Sequence, residues 1–200
     1  MEPSRLSDEE LFLRLDAADH FEELYRRHVS KVTAFATRRC SSPHEVPDLV
    51  AAVWLEVIAS ARSFDPRRGR VLPWILGVAA NVTASNERRR TREREALEKL
   101  GRQPTIDPDA LAELEAQIDA MTPARHAMKT LQQLPPGERL IAELVLIEGL
   151  QPTEAARALG LRPATARMRL RRARKKLQGS LSPFRLMPDQ PLPLSEVLHD

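Results

Sequence analysis

Aromatic residues are scarce in this 200-residue chain, at 4%. That argues against a β-sandwich or barrel, in which they are enriched. A single cysteine, Cys40, excludes an internal disulfide framework and a multi-cysteine zinc site. The 7 glycines are dispersed and form no phosphate-cradling loop. No uninterrupted apolar run approaches the roughly 20 residues that span a bilayer, and Met1-Glu-Pro-Ser-Arg carries no apolar signal core. A soluble, cytoplasmic chain without membrane insertion is expected. His20, His28, His44, His126 and His199 are scattered. His28 falls on an apolar helix face, where a packed role is expected rather than a catalytic one. The acids of residues 103–124 alternate with apolar positions and lack the pattern of a calcium loop. No catalytic group, metal site or cofactor is expected, so the chain is read as a non-enzyme.

Charge is plentiful but segregated. The formal net charge is only +3. Residues 1–24 carry 8 acids and 2 bases, whereas 25–102 carry 16 bases and 8 acids. Residues 103–124 hold 5 acids and no base; 155–185 hold 10 bases and no acid. Two basic regions separated by an acidic one suggest two modules that touch a polyanion. A solvated helix face explains the mixed block at 88–102 equally well, but it does not explain a run of cations without any acid.

Helical periodicity runs through the chain. Phe21, Leu24, His28, Val32 and Phe35 recur at helical spacing. Cys40-Ser-Ser-Pro-His breaks that helix, and Asp48 opens a second. Leu49, Val50, Val53, Trp54, Val57, Ile58 and Ala61 form its wide apolar stripe, as in a buried helix. Phe64-Asp-Pro-Arg-Arg-Gly-Arg is a loop. A third helix starts near Pro73, with Ile75, Val78, Ala79 and Val82 inward, and runs into Asn86-Glu-Arg-Arg-Arg. The expected architecture is all-α. Two small helical domains, 20–95 and 125–182, are joined by a flexible acidic linker, 96–124, with room for a short helix at 110–120. An acidic extension (1–19) and a Pro-rich tail (183–200) flank them.

Residues 152–177 are the most informative stretch. Pro152 and Thr153 open a short helix ended by Gly160, Leu161-Arg162 is a tight link, and Pro163 starts the next helix. That is a helix-turn-helix, whose second helix enters the DNA major groove. At about 100° per residue, Ala166, Leu170, Ala173 and Leu177 fall on one side and must pack inward. The opposite side carries Ala164, Thr165, Met168, Arg171, Arg172 and Lys175, flanked by Arg167 and Lys176. Arginine pairs bidentately with guanine O6 and N7, while cations further along hold phosphates.

Several segments resemble a known family: Leu134-Pro-Pro-Gly-Glu-Arg, Gly149-Leu-Gln-Pro-Thr-Glu-Ala-Ala, Leu159-Gly-Leu-Arg-Pro-Ala-Thr-Ala-Arg-Met-Arg-Leu and Arg172-Ala-Arg-Lys-Lys-Leu. They are similar to domain four of bacterial RNA polymerase sigma factors of the extracytoplasmic-function type. Asp48-Leu-Val, Phe64-Asp-Pro and Trp74-Ile-Leu through Asn81 resemble domain two. The similarity spans about residues 20–95 and 128–180, in the family's order and without a third sigma domain. It implies partners: core RNA polymerase, through its β′ clamp helices and β flap; promoter DNA; and in many relatives an anti-sigma factor. It implies that Asp48, Leu49, Val53, Trp54 and Glu56 bind core polymerase. Arg67, Arg68, Arg70, Trp74, Asn81, Arg88 and Arg89 would read and melt the −10 element. Arg162, Thr165, Arg167, Met168, Arg171, Arg172 and Lys175 would contact the −35 element. Trp74 is readable as a base-stacking ring or as core, and Trp54 as core or polymerase interface.

Departures from the family pattern fall at Ala51 and Ala52, where polar residues are common, at Ser85, where aspartate is frequent, and at Pro47, which is expected to trim the second helix. Two other classes fit parts of the pattern. A free-standing helix-turn-helix regulator would need a dimer and a palindromic site, and a sigma-like decoy would hold a partner without reading DNA.

Overall fold

In the computed structural model, residues 2–99 and 123–181 are described, with side chains at 2–96 and 126–180. Most of the expected acidic linker, including its short helix, and the Pro-rich tail lie outside these residues. Every regular element among the described residues is helical. The chain divides into two compact units, Met1–Thr105 and Ile106–Asp200.

The first unit contains α1 (Asp8–Phe12), α2 (Ala18–Thr37), α3 (Val46–Ser60) and α4 (Val71–Lys99). Its core forms where the apolar stripes of the last three meet. Leu24, Val32 and Phe35 of α2, Val53 and Val57 of α3, and Val71, Ile75, Leu76 and Ala79 of α4 are all buried. Each large aliphatic side chain so buried contributes about 1.5–3 kcal/mol relative to exposure. Two boundaries differ from expectation. The second helix begins at Val46, with Pro47 inside its first turn; no intrahelical N–H bond is needed there, so proline extends the start rather than trimming it. The third runs on to Lys99, into the segment expected as linker, because its polar half is rich in helix-forming Arg and Glu.

The acidic extension expected at 1–19 is instead part of this unit. Leu6, Leu11 and Phe12 are buried. Ser7 and Glu10 form a capping box: the Ser7 amide donates to the Glu10 carboxylate at 2.8 Å, and the Glu10 amide to Ser7 Oγ at 3.2 Å. That reciprocal cap stabilises a helix only 5 residues long. Arg27 of α2 ties the segment down, donating to Asp8 Oδ1 at 2.9 Å and to the Leu6 and Ser4 carbonyls at 2.8 and 3.0 Å. Asp8 and Glu10 therefore find internal partners, which charge counting alone does not reveal.

The second unit contains α5 (Pro123–Gln132), α6 (Pro136–Ala142), α7 (Pro152–Ala158) and α8 (Pro163–Leu181). After α6 the chain makes a single π turn, Glu143–Ile147, in which the Glu148 amide donates to the Glu143 carbonyl at 3.0 Å. Leu131, Leu134, Ala142, Ala173 and Leu177 form a core packed by Met128, Leu146 and Ile147. The fully buried Glu143 carboxylate accepts from Arg139 Nε at 2.7 Å. Such a pair is acceptable in a core because the guanidinium answers the charge. Gly160 ends α7 at φ +61. Its amide reaches the Arg157 carbonyl at 3.0 Å, and the Leu161 amide reaches that of Ala156 at 2.8 Å. This pattern requires a left-handed residue, which glycine supplies without a steric penalty.

Candidate nucleic-acid interface

The turn closed by Gly160 leads into α8, which lays its apolar face on the second unit's core. Ala166, Leu170, Ala173 and Leu177 are buried, as their spacing predicts. Outward stand Ala164, Arg167, Met168, Arg171, Arg172 and Lys175, all exposed, with Thr165 half-buried at the edge. Arg162 is exposed in the turn. Met168 is 53% exposed, unusual for a thioether unless something covers it. No acidic residue lies on α8, so this face is a continuous positive stripe.

Two α8 cations are engaged from within. Lys176, expected as a flanking outward cation, donates to Glu138 of α6 at 2.8 Å. Arg169 lies over Gly137: a Cβ there would sit 2.8 Å from its Nη1, so a larger residue would push the guanidinium aside. Arg174 is exposed and went unremarked in the sequence reading. It stands seven residues after Arg167 and so shares that flank.

In the first unit, a second basic surface surrounds the start of α4. The loop from Phe64 to Arg70 is held by Asp65, whose Oδ1 accepts from the Arg67 amide at 2.9 Å and whose carbonyl accepts from the Arg68 amide at 2.9 Å. This turn leaves the side chains of Arg67, Arg68 and Arg70 exposed. Asn81 and Arg88 are exposed on one face of α4; Arg89 pairs with Glu93 at 3.4 Å. Trp74 belongs to an aromatic cluster, its ring centroid 5.1 Å from that of Phe12 and 5.8 Å from that of Phe64, both edge-on. The ring is only half-buried, so the packed reading describes its inner face.

The set expected to bind polymerase splits. Asp48 and Glu56 are exposed, whereas Leu49, Val53 and Trp54 are buried. Trp54 packs its ring against Tyr25 and Phe21, with centroids 5.0 and 5.9 Å away. What α3 presents outward is Asp48, Ala51, Leu55 and Ile58, with Leu55 68% and Ile58 47% exposed. Ile58 was expected in the buried stripe and Leu55 was not singled out. A helix apolar nearly all round gives little angular contrast to separate core from outer face.

His28 Nε2 lies 2.7 Å from Asp8 Oδ2, and the ring is buried. Burial, then the charge of Glu45, pushes the Cys40 thiol up, the opposite of an activated nucleophile. Among the described residues, no group of three or more His, Cys, Asp or Glu side chains converges as a metal site. No described helix is long and apolar enough to cross a membrane.

Comparison with known proteins places both surfaces in one context. Residues 24–93 match the family Sigma-70 region 2, and residues 124–177 match Sigma-70, region 4. The chain is 33% identical over 170 residues to the RNA polymerase sigma factor CarQ of Myxococcus xanthus, covering 85% of this chain and 94% of that protein. It is 31% identical over 173 residues to the ECF RNA polymerase sigma factor SigE of Mycolicibacterium smegmatis, covering 83% of this chain and 63% of that longer protein. The fold is similar to that of the sigma factor RpoE from Bartonella quintana, crystallised with the anti-sigma factor NepR. That likeness has a TM-score of 0.62 and 24% identity, and covers 80% of this chain and 96% of that one. CnrH in complex with the cytosolic domain of CnrY has a TM-score of 0.59 and 24% identity, over 90% and 98% of the two chains.

Proposed function

The chain belongs to the extracytoplasmic-function RNA polymerase sigma factors, and on that premise we propose how its residues divide the family's work. It binds core RNA polymerase and directs promoter-specific transcription initiation. Bond formation belongs to the polymerase, and the place of action is the cytoplasm. The observation that carries the residue assignment is the outward face of α8, where every charged side chain is a cation.

In the −35 major groove, Arg167 and Arg172 contact base edges, and Met168 between them touches a thymine methyl. Arg162, Arg171 and Lys175 hold phosphates and fix the register, with Thr165 at the edge of the contact. The domains that act are 20–95, extended by the packed N-terminal segment, and 125–182. In the first, Arg67, Arg68 and Arg70 line the path of the separated −10 strand, and Arg88 and Arg89 follow its backbone. Asn81 faces a base, and the exposed edge of Trp74 offers a stacking surface. Extruding a base into such a site costs a few kcal/mol, which these contacts offset.

Core polymerase docks on the outward stripe of α3. Asp48 and Glu56 supply charge, and Leu55 and Ile58 supply apolar area. Leu49, Val53 and Trp54 act from beneath, as the packing that fixes this helix. An anti-sigma factor is a further proposed partner, supported by the solved relatives caught with NepR and with the CnrY cytosolic domain.

In-vitro transcription with purified core polymerase and genomic DNA fragments tests the reading. Discrete transcripts that require this chain are expected. Their absence, together with failure to form a polymerase complex, refutes it.

A further inference from the structure

The loop that carries Arg67, Arg68 and Arg70 is closed at both ends on the same short helix, α1. At the entry, Phe64 is buried with its ring centroid 4.8 Å from that of Phe12. At the exit, the Val71 amide, the first of α4, donates to Glu9 Oε1 at 3.4 Å. One turn further on, Trp74 closes on Phe12 at 5.1 Å. Phe12 is 3% exposed and touches both sides of the loop's base. A carboxylate at the start of a helix satisfies an amide that has no partner within the helix, and it favours the positive end of the helix dipole.

The helix so placed is itself anchored. Asp8 sits between Arg27 Nη1 at 2.9 Å and His28 Nε2 at 2.7 Å, and Arg27 also holds the Leu6 and Ser4 carbonyls. The anchor reaches α2 by charge, and the other side of α1 reaches the loop by an aromatic wedge and a helix cap. Glu9 and Phe12 are far in sequence from the basic loop; Phe12 is buried and Glu9 half-buried.

We propose that Glu9 and Phe12 are positioning residues for promoter opening: they fix the spacing and direction of the 64–70 loop, and hence where its arginines meet the separated −10 strand. The inference rests on the assignment of that loop to the −10 element. Geometry matters here because a displacement of about 1 Å at a site of this kind is enough to lose most of its effect.

The test uses the full-length chain, holoenzyme and the strongest promoter recovered by the transcription assay above. Opening is read from permanganate reactivity of unpaired thymines, and core affinity is measured in parallel. Phe12→Leu keeps an apolar core but loses the ring wedge. Glu9→Ala removes the cap, whereas Glu9→Gln keeps an oxygen acceptor. Phe12→Leu is expected to slow opening of duplex promoter at least tenfold, and Glu9→Ala at least threefold, with core affinity within twofold of the parent. Glu9→Gln is expected to recover most of the Glu9→Ala loss. On a template with a preformed bubble at −10, the defects shrink but do not vanish, because the loop must still hold the strand.

Unchanged opening in Phe12→Leu and Glu9→Ala overturns the proposal, as does a parallel loss of core affinity, which would mark a merely structural role. Arg67→Ala with Arg68→Ala distinguishes the underlying assignment. If that double variant opens the promoter normally, the −10 role of the loop fails and the positioning role falls with it. If it is defective while Phe12→Leu and Glu9→Ala are silent, only the positioning role fails.

Discussion

Lys175 and Lys176 are chemically identical neighbours that the structure assigns to different tasks, and salt-dependent DNA binding separates them. Lys175 is exposed with no acid on its helix, whereas Lys176 donates to Glu138 at 2.8 Å. Each phosphate neutralised on duplex DNA contributes about −0.9 to the slope of log K against log salt. With Arg162, Arg171 and Lys175 each engaging one phosphate, the slope for a −35 duplex approaches about −2.7, a loss near 40-fold between 50 and 200 mM salt. Lys175→Ala should bring the slope to about −1.8, recovering roughly 3.5-fold of that loss. Lys176→Ala should leave the slope unchanged and instead weaken the packing of α6 on α8. Its side chain is half-exposed, so the stability cost is at most about 1 kcal/mol. Fluorescence anisotropy of the full-length chain on a labelled −35 duplex at several salt concentrations reads the slopes, and thermal melts read the stability. Equal slope changes in the two variants would refute the division of α8 into a DNA face and a packing flank.

Other outcomes follow from single contacts. Arg172→Ala should weaken binding to the cognate −35 element by about 1–3 kcal/mol and relax preference at one position; a uniform loss over all sequences, measured by competition, would make it a phosphate contact instead. Gly160→Ala should cost about 1–2 kcal/mol through its positive φ alone, because no atom lies within 4 Å of the added Cβ; a melting temperature equal to the parent's would refute the left-handed cap. Hydrogen bonds from Arg27 and then Arg26 hold the Glu23 carboxyl below its ordinary 4.5. A depressed folded-state value means a contribution that is complete above the ordinary value and lost as pH falls through the lower one. Circular-dichroism melts should therefore show stability declining below pH 4.5, less steeply in Glu23→Gln; parallel curves would refute the contribution.

How far these sites were legible depended on angular contrast. On α8 the contrast is complete, with four apolar positions inward and only cations among the charged residues outward, and the structure reproduces the division apart from Lys176. Lys176 is held by Glu138, 38 positions earlier, which no helical wheel brings near. On α3 the contrast is weak, because Leu55 and Ile58 are as apolar as Leu49 and Val53. Periodicity therefore found the helix but misjudged its outer face. The segment before α2 was least legible. Leu6, Leu11 and Phe12 are too few for a periodic signal, and its many acids suggested a solvated extension.

The packed N-terminal segment also changes what the charge blocks mean. The 8 acids of residues 1–24 looked like a counterweight to distant cations. Asp8, Glu9 and Glu23 are instead committed locally, to Arg27 and His28, to the Val71 amide, and to Arg26 and Arg27. Each of these bonds is made within the first unit. Acids already bonded this way have their charge answered locally. Outside that segment, the 5 acids of 103–124 and the 3 of 186–200 are the candidates for restraining DNA binding. Replacing those acids with their amides in the full-length chain should tighten nonspecific DNA binding and steepen its salt dependence. The same change at Asp8 and Glu23 should lower stability without that gain in affinity. If the Asp8 and Glu23 variants bound DNA more tightly at matched salt, the N-terminal acids would be acting as a screen after all, and their role as local anchors would not account for them.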